Sequence, residues 1–344
     1  METRTDGQFR QSGAAPTLEM VAALAGVSRS TVSRVVNGSP RVTSEAAEAV
    51  NRAIAKLNYV PNRAARALAS RKTQAIALVI PENTARFFAD PFFASVIQGI
   101  AMHLATTDYT LSMLIASETD SGKTRRYLQG GNVDGALILS HHRDDRSYTH
   151  LATSIPVVFG GRPMSENGAE NYVVDVDNVA AAGVATRYLI AHGRKRIATI
   201  AGPQDMAAGL DRFEGWKQAI EAAKLEADLY EVGDFTPPGG SAAMARLLER
   251  RVPFDAVFIA SDQMAYGAMG MLREHGISVP RDVAVVGFDN DYFSTTSTPP
   301  LTTVAQPSMA LGSRMAEILV RLISGGTAER LTIMPTVLVE RESV

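Results

Sequence analysis

Most of this chain alternates short apolar runs with amphipathic helical patterns, and no other feature constrains the fold as much. The alternation begins near Thr73 and continues to the end of the 344-residue sequence. Short runs rich in β-branched residues, each followed by a helical pattern, are typical of parallel strands covered by helices on both faces. We therefore predict doubly wound parallel sheets. The predicted strands are 75–80, 111–116, 135–139, 157–159, 197–201, 256–260 and 283–288, with a terminal strand pattern at 335–340.

Polar residues follow several of these strands. In parallel α/β sheets, ligands bind beyond the carboxyl ends of the strands. The candidate ligand-binding segments are therefore 81–82, 140–145, 160–162, 261–263 and 289–290.

Residues 17–38 have the pattern of two short helices joined by a tight turn. Apolar residues recur at helical spacing, and Gly26 supplies the backbone freedom that a sharp turn requires. Ser28 can cap the second helix, in which Val32 faces inward. The alternative is an ordinary helical pair with solvated arginines. The outer face presents side chains suited to a DNA major groove, namely Arg29, Ser30, Ser33 and Arg34.

A third helical pattern, which starts at Thr43-Ser44-Glu45, closes a small three-helix bundle. The segment 62–70 that follows is too short for an isolated helix, since fragments below about 12 to 15 residues are marginal in water. Its alanines favour helix formation. We therefore expect it to be disordered until DNA and a second copy of the chain order it.

The run from Thr17 to Ser70 resembles the DNA-binding headpiece and hinge of the lactose-repressor (LacI) family of bacterial transcription regulators. The resemblance is carried by Ala25-Gly-Val-Ser28, Thr31-Val-Ser-Arg-Val-Val-Asn37 and Leu57-Asn-Tyr-Val-Pro-Asn-Arg63. The rest resembles the type I periplasmic-binding-protein fold of the same family, through 90–94, 201–203, 261–265, 285–289 and 299–303. This implies a small all-α helix-turn-helix headpiece and an α/β periplasmic-binding-protein-like core of two doubly wound parallel-sheet subdomains.

The resemblance implies that Arg29 and Ser30 read bases, and that Leu68 is an apolar wedge which two hinge helices push into the minor groove. Unstacking a base step costs about a few kcal/mol, which contacts along the bent duplex offset. The alternative for Leu68 is a linker residue without a contact. The expected DNA-binding residues are Thr17, Ser28, Arg29, Ser30, Thr31, Ser33, Arg34, Asn37, Asn62, Arg63, Ala67 and Leu68.

The resemblance also implies that Arg212 holds effector hydroxyls, Phe235 stacks on a ring and Asp289 accepts hydrogen bonds. Such groups suit a mono- or oligosaccharide. Ser261 departs from the best-known sugar-binding relatives, which carry Asn there, so the identity of the ligand stays open. The alternative for the phenylalanines is a core position. The expected effector-binding residues are Glu82, Asp90, Phe92, Phe93, His141, His142, Arg162, Arg212, Phe235, Ser261, Asp262 and Asp289.

These patterns divide the chain into four parts. We predict a disordered arm at 1–15, a helix-turn-helix domain at 16–61, a hinge helix and linker at 62–73, and an effector-binding and dimerisation core at 74–344. Within the core, the N-subdomain is expected at about 74–175 and 305–335, and the C-subdomain at about 176–304 and 336–344.

Charge is divided unevenly between these parts. Residues 16–72 carry nine Lys and Arg against three Glu, a net charge of +6, and the first fifteen residues are neutral. The whole chain has a net charge of −2, which leaves about −8 for residues 73–344. A polyanion repels such a segment, so only the small domain is expected to bind nucleic acid.

The sequence contains no cysteine, no apolar leader and no run of 18 apolar residues. We therefore expect a cytoplasmic protein without a membrane partner, associated with the nucleoid when it is bound to operator DNA.

Signals for other chemistry are weak. His141 and His142 precede Asp144 and Asp145, but adjacent residues point apart and no third ligand follows at helical spacing. A polar lip of the cleft is therefore preferred over a metal site. Dinucleotide, phosphate-loop and nucleophile-elbow motifs are missing from the sequence. We expect no metal, no cofactor and no enzymatic activity.

The leading hypothesis is a repressor that binds a palindromic operator as a homodimer and is released by a small carbohydrate. Because no heptad pattern follows the terminal strand, a dimer is expected rather than a coiled-coil tetramer. The alternative is a corepressor-dependent or global regulator of the same build, with a purine, a sugar phosphate or a protein partner. Both hypotheses use the same cleft, and the sequence leaves both open. A solute-binding protein is disfavoured by the headpiece and the missing signal peptide.

Overall fold

The computed structural model describes residues 16–36, 38–60, 72–82, 84–115, 121–140, 142–143, 154–164 and 171–344. The chain forms two compact units, 1–73 and 74–344. The predicted arm and most of the predicted hinge, with Asn62, Arg63, Ala67 and Leu68, lie outside the described residues, as do Asn37 and His141.

The first unit is a three-helix bundle of α1 (Leu18–Ala25), α2 (Arg29–Val36) and α3 (Ser44–Leu57). The Thr17 hydroxyl caps α1 by accepting a hydrogen bond from the Met20 amide, and Gly26 ends the helix in the left-handed conformation. Val21, Val32 and Val50 are fully buried at the centre, one from each helix. The predicted helix-turn-helix and its third helix are confirmed.

The second unit combines two sheets with surrounding helices. Its strands are β1 (Ala75–Ile80), β2 (Thr110–Ile115), β3 (Gly135–Leu139), β4 (Val157–Gly160), β5 (Tyr172–Val176), β6 (Ile197–Ala201), β7 (Tyr230–Val232), β8 (Ala256–Ile259), β9 (Ala284–Asp289), β10 (Thr302–Ala305), β11 (Leu331–Met334) and β12 (Val337–Val339). Its helices are α4 (Thr84–Ala89), α5 (Pro91–Leu104), α6 (Ser121–Gln129), α7 (Asn178–Ala191), α8 (Ala207–Ala222), α9 (Pro237–Glu249), α10 (Asp262–Glu274), α11 (Tyr292–Thr296) and α12 (Ser308–Ile323).

The strands divide into two six-stranded sheets. The first sheet has the order β11-β5-β4-β3-β1-β2 and is parallel throughout. The second has the order β12-β10-β9-β8-β6-β7 and is parallel except for β12, which pairs antiparallel with β10. We call the first sheet with its helices the first half, and the second sheet with its helices the second half.

Helices bury both faces of each sheet. In β1, Ile76 and Leu78 pack with α5 and α12, whereas Ala77 and Val79 point to the opposite face and pack with Leu128 of α6. In the second half, α9 and α10 cover one face of the sheet, and α7 and α8 cover the other. This two-sided burial explains why the strands read as continuous apolar runs. The predicted parallel α/β core is confirmed.

The backbone passes between the halves three times, through short segments. It crosses after β5 at Asp177, after β10 at 306–307, and between β11 and β12 at 335–336. The carboxyl ends of the central strands of both sheets meet at the cavity between the halves.

Sequence patterns locate the buried strands more accurately than the others. The predicted strands at 75–80, 135–139 and 197–201 match the structure, and the other five shift at their ends. Four further strands were not predicted. In β5 the apolar run is interrupted by Asp175, β7 has three residues, β10 is rich in threonine, and β11 is a partly exposed edge strand.

Candidate functional site

The outer face of α2 carries the polar side chains that the sequence analysis singled out. Arg29, Ser30 and Arg34 are exposed, while Val32 faces the core. The Thr31 amide donates to Ser28 Oγ over 3.2 Å, which confirms the predicted cap. The helix therefore begins with a group of hydroxyls, because Ser28 Oγ also lies within 2.9 Å of the Ser30 and Thr31 hydroxyl oxygens.

Arg29 is held by an ion pair within the same unit. Its Nη2 lies 2.9 Å from Glu19 Oε1 of α1, and the two side chains are 71% and 54% exposed. Exposed pairs of this kind contribute about 0 to 1 kcal/mol. Arg29 can therefore leave Glu19 for a base edge or a phosphate at little cost.

A cavity lies between the two halves of the second unit. It contains about 810 Å³ of empty space, including its open mouth. Its wall combines aromatic rings with charged side chains from both halves, the composition that is typical of small-molecule sites. Predicted residues on this wall are Asp90, Phe92, Phe93, Arg162, Arg212, Phe235, Ser261 and Asp289.

Arg212 is the central charged group of the cavity. It lies on α8 and is 5% exposed. Its Nε donates to Asn178 Oδ1 over 2.9 Å, and its Nη1 donates to the Ala260 carbonyl and to Asp289 Oδ1 over 2.6 and 3.3 Å. The guanidinium also stacks 3.7 Å from the centre of the Phe288 ring. Burial lowers the pKa of Arg212, and the Asp289 charge opposes that effect.

Asp289 is also held by Gln306. The Gln306 amide donates to Asp289 Oδ1 over 2.6 Å. Burial raises the pKa of Asp289 above its ordinary value, and the nearby Arg212 opposes the shift. Three non-glycine residues on the cavity wall have positive φ angles, +58° at Ser140, +62° at Phe235 and +113° at Asp289. Such strained conformations persist where the surrounding structure holds them, and they concentrate at functional sites.

The remaining charged groups on the wall come mainly from the first half. Asp90 and Asp175 are carboxylates whose pKa values burial raises. Arg86 pairs with Glu82 over 3.3 Å, and Arg162 pairs with Asp211 over 2.7 Å. Each arginine of the wall therefore already has a carboxylate partner.

Phe235 supplies an aromatic surface close to these charges. The Arg86 and Arg212 guanidiniums lie 5.8 and 5.7 Å from the centre of its ring. Phe93 is buried in the hydrophobic cluster of the first half, while Phe92 packs at the edge of that cluster. The core and cavity assignments for these phenylalanines are therefore compatible, since the same rings serve both.

The described residues contain neither a membrane-spanning helix nor a metal-binding cluster. No helix among them is both long and apolar enough to cross a membrane. Within the same residues, no three His, Cys, Asp or Glu side chains come together in an arrangement that could hold a metal ion.

The chain is similar to known proteins over nearly its whole length. Residues 17–62 match the model for bacterial regulatory proteins of the lacI family, and residues 186–344 match that for a periplasmic binding protein-like domain. The HTH-type transcriptional regulator CelR of Thermobifida fusca is 46% identical over 333 residues, which cover 95% of this chain and 98% of CelR. The chain belongs to the LacI family. The ribose operon repressor of Escherichia coli K12 is 35% identical over 95% of this chain and 99% of its own length.

Solved structures of LacI-family proteins share this architecture. A structure of a transcriptional regulator CelR–cellobiose complex is 44% identical with a TM-score of 0.76, and covers 96% of this chain and 100% of its own. A structure of the lac repressor dimer bound to operator and an anti-inducer is 28% identical with a TM-score of 0.85, and covers 96% of this chain and 99% of its own.

Three residues predicted to bind the effector of this LacI-family regulator do not line the cavity. Asp262 is fully buried, where its carboxylate accepts hydrogen bonds from the Thr303 hydroxyl and the Asp291 amide over 2.6 and 3.0 Å. It therefore braces the second sheet instead of facing a ligand. Glu82 and His142 lie beside the cavity and bind each other over 3.1 Å.

Ser261, the residue that departs from sugar-binding relatives, has a structural role as well as a place on the wall. Its hydroxyl caps α10 by accepting a hydrogen bond from the Met264 amide over 3.2 Å. The Ser261 hydroxyl therefore already has one partner before a ligand enters.

Several wall residues were not predicted. Asp175 and Asn178 flank the end of β5, and Gln306 follows β10. Both strands lack a clear apolar pattern, so the sequence did not predict them or the polar residues at their carboxyl ends. The sequence signal that could have identified these residues is a polar residue directly after a β-branched run, even a short one. Arg86 was not predicted either, while Ser140 and Gln263 lie in the predicted strand-end segments 140–145 and 261–263 but were not among the expected effector-binding residues.

Proposed function

We propose that this LacI-family regulator is a dimeric repressor that binds a palindromic operator and releases it when an uncharged oligosaccharide fills the cavity. It acts in the cytoplasm, where it finds its operator on the nucleoid, and the proposal assigns no catalysis to the cavity. The observation that carries the proposal is the Arg212–Asp289 pair beside the Phe235 ring.

The chemistry of the wall supports a carbohydrate. A guanidinium and a carboxylate held by neighbouring groups suit two adjacent hydroxyls, and an aromatic plane suits the C–H face of a sugar ring. The similarity to CelR, whose solved complex contains cellobiose, makes a cellobiose-like disaccharide the first ligand to test.

The charge balance of the wall favours an uncharged ligand over a sugar phosphate. Arg86, Arg162 and Arg212 are each paired with a carboxylate. A phosphate would have to displace one of these partners, and it would face Asp90 and Asp175 on the same wall. A neutral saccharide keeps every existing ion pair in place.

Dimerisation follows from the way helix-turn-helix proteins bind DNA. A single α2 helix reads only a few base pairs, so two copies about one DNA turn apart are required for a specific site. Sedimentation velocity at micromolar concentration should give the mass of two 36.8 kDa chains.

The proposed function is tested in two steps. Selection from random duplexes identifies the operator, and fluorescence anisotropy then measures operator binding with cellobiose, glucose, ribose, glucose 6-phosphate or hypoxanthine added. We expect cellobiose to raise the melting temperature of the protein and to weaken operator binding, since a ligand stabilises the state that binds it. A response only to the phosphate or the purine would contradict an uncharged effector. Tighter operator binding with cellobiose would contradict induction.

A further inference from the structure

Among the described residues, two ion pairs join the halves of the second unit at the mouth of the cavity. In one, Arg162 Nη2 from the first half donates to both carboxylate oxygens of Asp211 on α8, over 2.7 and 3.0 Å. In the other, His142 Nδ1 from the first half lies 2.8 Å from Asp205 Oδ2, in the segment before α8. Neither Asp205 nor Asp211 lies on the cavity wall.

Each bridging residue also contacts a carboxylate of the first half, His142 through its ring and Arg162 through its backbone amide. His142 Nε2 lies 3.1 Å from Glu82 Oε1, and Glu82 is only 2% exposed. The Arg162 amide donates to Asp175 Oδ2 over 2.9 Å. A buried carboxylate is stable only when its charge is compensated, so Glu82 holds the His142 ring at the rim, while Asp175 fixes the backbone of Arg162.

A backbone contact reinforces the second bridge. The Arg143 amide donates to the Asp205 carbonyl over 2.9 Å, again from the first half to the second. Further contacts between the halves run from Arg143 Nη2 to the Gln204 carbonyl over 3.4 Å and from Arg86 Nη2 to Met206 Sδ over 3.8 Å. The backbone connects the halves through the three short crossings at 177, 306–307 and 335–336. Short crossings permit hinge motion, and contacts far from the crossings then control how far the cavity opens.

We propose that Asp205 and Asp211 are positioning residues for effector binding. By holding His142 and Arg162 across the mouth, they favour the closed cavity and thereby set effector affinity without touching the effector. The identity of the effector rests on the proposed function, whereas the bridges connect groups of the protein itself.

The test compares Asp205→Asn, Asp211→Asn and the double variant with Asp228→Asn. The substitution keeps the shape of the side chain and removes its charge. Asp228 is a matched control because its carboxylate pairs with Arg196 Nη2 over 3.0 Å entirely within the second half. The exposed fractions of the Asp205 and Asp228 side chains are also similar, 55% and 61%.

Opening of the cavity is measured first in the effector-free protein. The chain has no cysteine, so nitroxide labels attach only at introduced positions, such as Gln129→Cys on α6 and Ala222→Cys on α8. Dilution with unlabelled chain leaves one labelled copy in each assembly, and pulsed electron resonance then measures the distance between the labels. We expect the double variant to shift or broaden this distance distribution and Asp228→Asn to leave it unchanged. Superimposable distance distributions for the double variant and the parent would contradict the proposal that the bridges favour the closed cavity.

Cellobiose affinity is measured next by isothermal titration calorimetry. We expect each single variant to bind about two- to fivefold more weakly and the double variant about tenfold more weakly, the range for partly exposed ion pairs. Affinity equal to that of Asp228→Asn would overturn the positioning role even if the distances change. If the parent protein binds no saccharide, the proposed function fails, while the label distances still decide whether the bridges close the cavity.

Discussion

Arg212 shows how a single buried charge can organise a binding site. Its donors reach an amide, a carbonyl and a carboxylate that come from three different parts of the chain, and its plane rests on Phe288. A planar guanidinium can satisfy all of these contacts at once, whereas an ammonium is a compact point charge. The site therefore depends on the shape of the cation as well as on its charge.

The change Arg212→Lys should separate sensing from DNA binding. We expect cellobiose to bind at least about 100-fold more weakly, because the remaining ammonium cannot replace the stacked, multidentate guanidinium. Operator affinity without effector should stay within about twofold of the parent, since the substitution lies in the second unit. Anisotropy titrations with and without cellobiose measure both quantities. Normal release of the operator by this variant would contradict the cavity assignment.

On the DNA-binding unit, Arg29 is the residue whose substitution tests the reading of bases. We expect Arg29→Ala to weaken the preference for one base pair of the operator by about 1 to 3 kcal/mol, the contribution of a bidentate contact. Cellobiose binding should not change. Arg52→Ala is the control, because Arg52 is similarly exposed but lies on α3 in an ion pair with Glu48. The measurement is binding to a panel of single-base operator variants. If Arg29→Ala and Arg52→Ala weakened binding to all sites equally, base reading by Arg29 would be refuted.

At the scale of elements, two helices of the first half pack unusually closely. A Cβ atom at Gly99 of α5 would overlap the Met309 carbonyl of α12, and a Cβ at Gly312 of α12 would overlap the Val96 carbonyl of α5. In a helix interior, glycine is less favourable than alanine by about 1 kcal/mol in helix propensity. Close backbone contact, and not helix propensity, therefore explains glycine at both positions.

Gly312→Ala should lower the free energy of unfolding by about 1 to 3 kcal/mol, because the added methyl group forces α5 and α12 apart. Gly270→Ala on α10 is the matched control, since a Cβ there would meet no atom within 4 Å. The control should be unchanged or up to about 1 kcal/mol more stable. Urea unfolding followed by circular dichroism compares the two. Equal stability of both variants would contradict the close packing of α5 against α12.

At the largest scale, effector sensing requires coupling between the cavity of the second unit and the separate DNA-binding unit. A ligand shifts such an equilibrium only by its difference in affinity for the two states, typically worth about 1 to 3 kcal/mol. If the cavity opens, the contacts that join the halves at its mouth must break, so by our proposal they belong to this equilibrium.

His142 makes this coupling dependent on pH. Its contacts with Glu82 and Asp205 raise the pKa of His142 to about 9 in the closed cavity. The Arg86 guanidinium, which pairs with Glu82, is the cation beside them. If the pKa of His142 returns to its ordinary 6.5 when the cavity opens, the His142 contacts contribute fully to closure below pH 6.5. This contribution is lost as the pH rises through about 9.

We therefore expect cellobiose affinity to fall by at least about fivefold between pH 6.5 and 9.5. Calorimetric titrations across this range measure the fall. His142→Gln removes the titrating group and should flatten this part of the profile. An equally steep profile in that variant would assign the pH dependence to another group, such as Asp289.

Local patterns in the sequence determined the helix-turn-helix, the buried strands and the class of polar residues at the cavity. Each of these features depends on which side of a helix or strand faces apolar neighbours, and residues close in sequence encode that directly. Arg162, Ser261 and Asp289 lie in segments directly after predicted strands and accordingly reach the wall, whereas Arg212 and Phe235 were expected there from the family resemblance.

Only the tertiary structure decided which distant residues meet there. Asp175, Asn178 and Gln306 reach the wall because β5 and β10 join sheets whose strand order is not the order of the chain. Asp262, next to Ser261 in sequence, turns away from the wall because the Thr303 hydroxyl and the Asp291 amide bind its carboxylate. The ion pairs at the cavity mouth are likewise long-range, since Arg162 and Asp211 lie on different halves. Local periodicity carries no information about such pairs, because their members are far apart in sequence and belong to two different sheets.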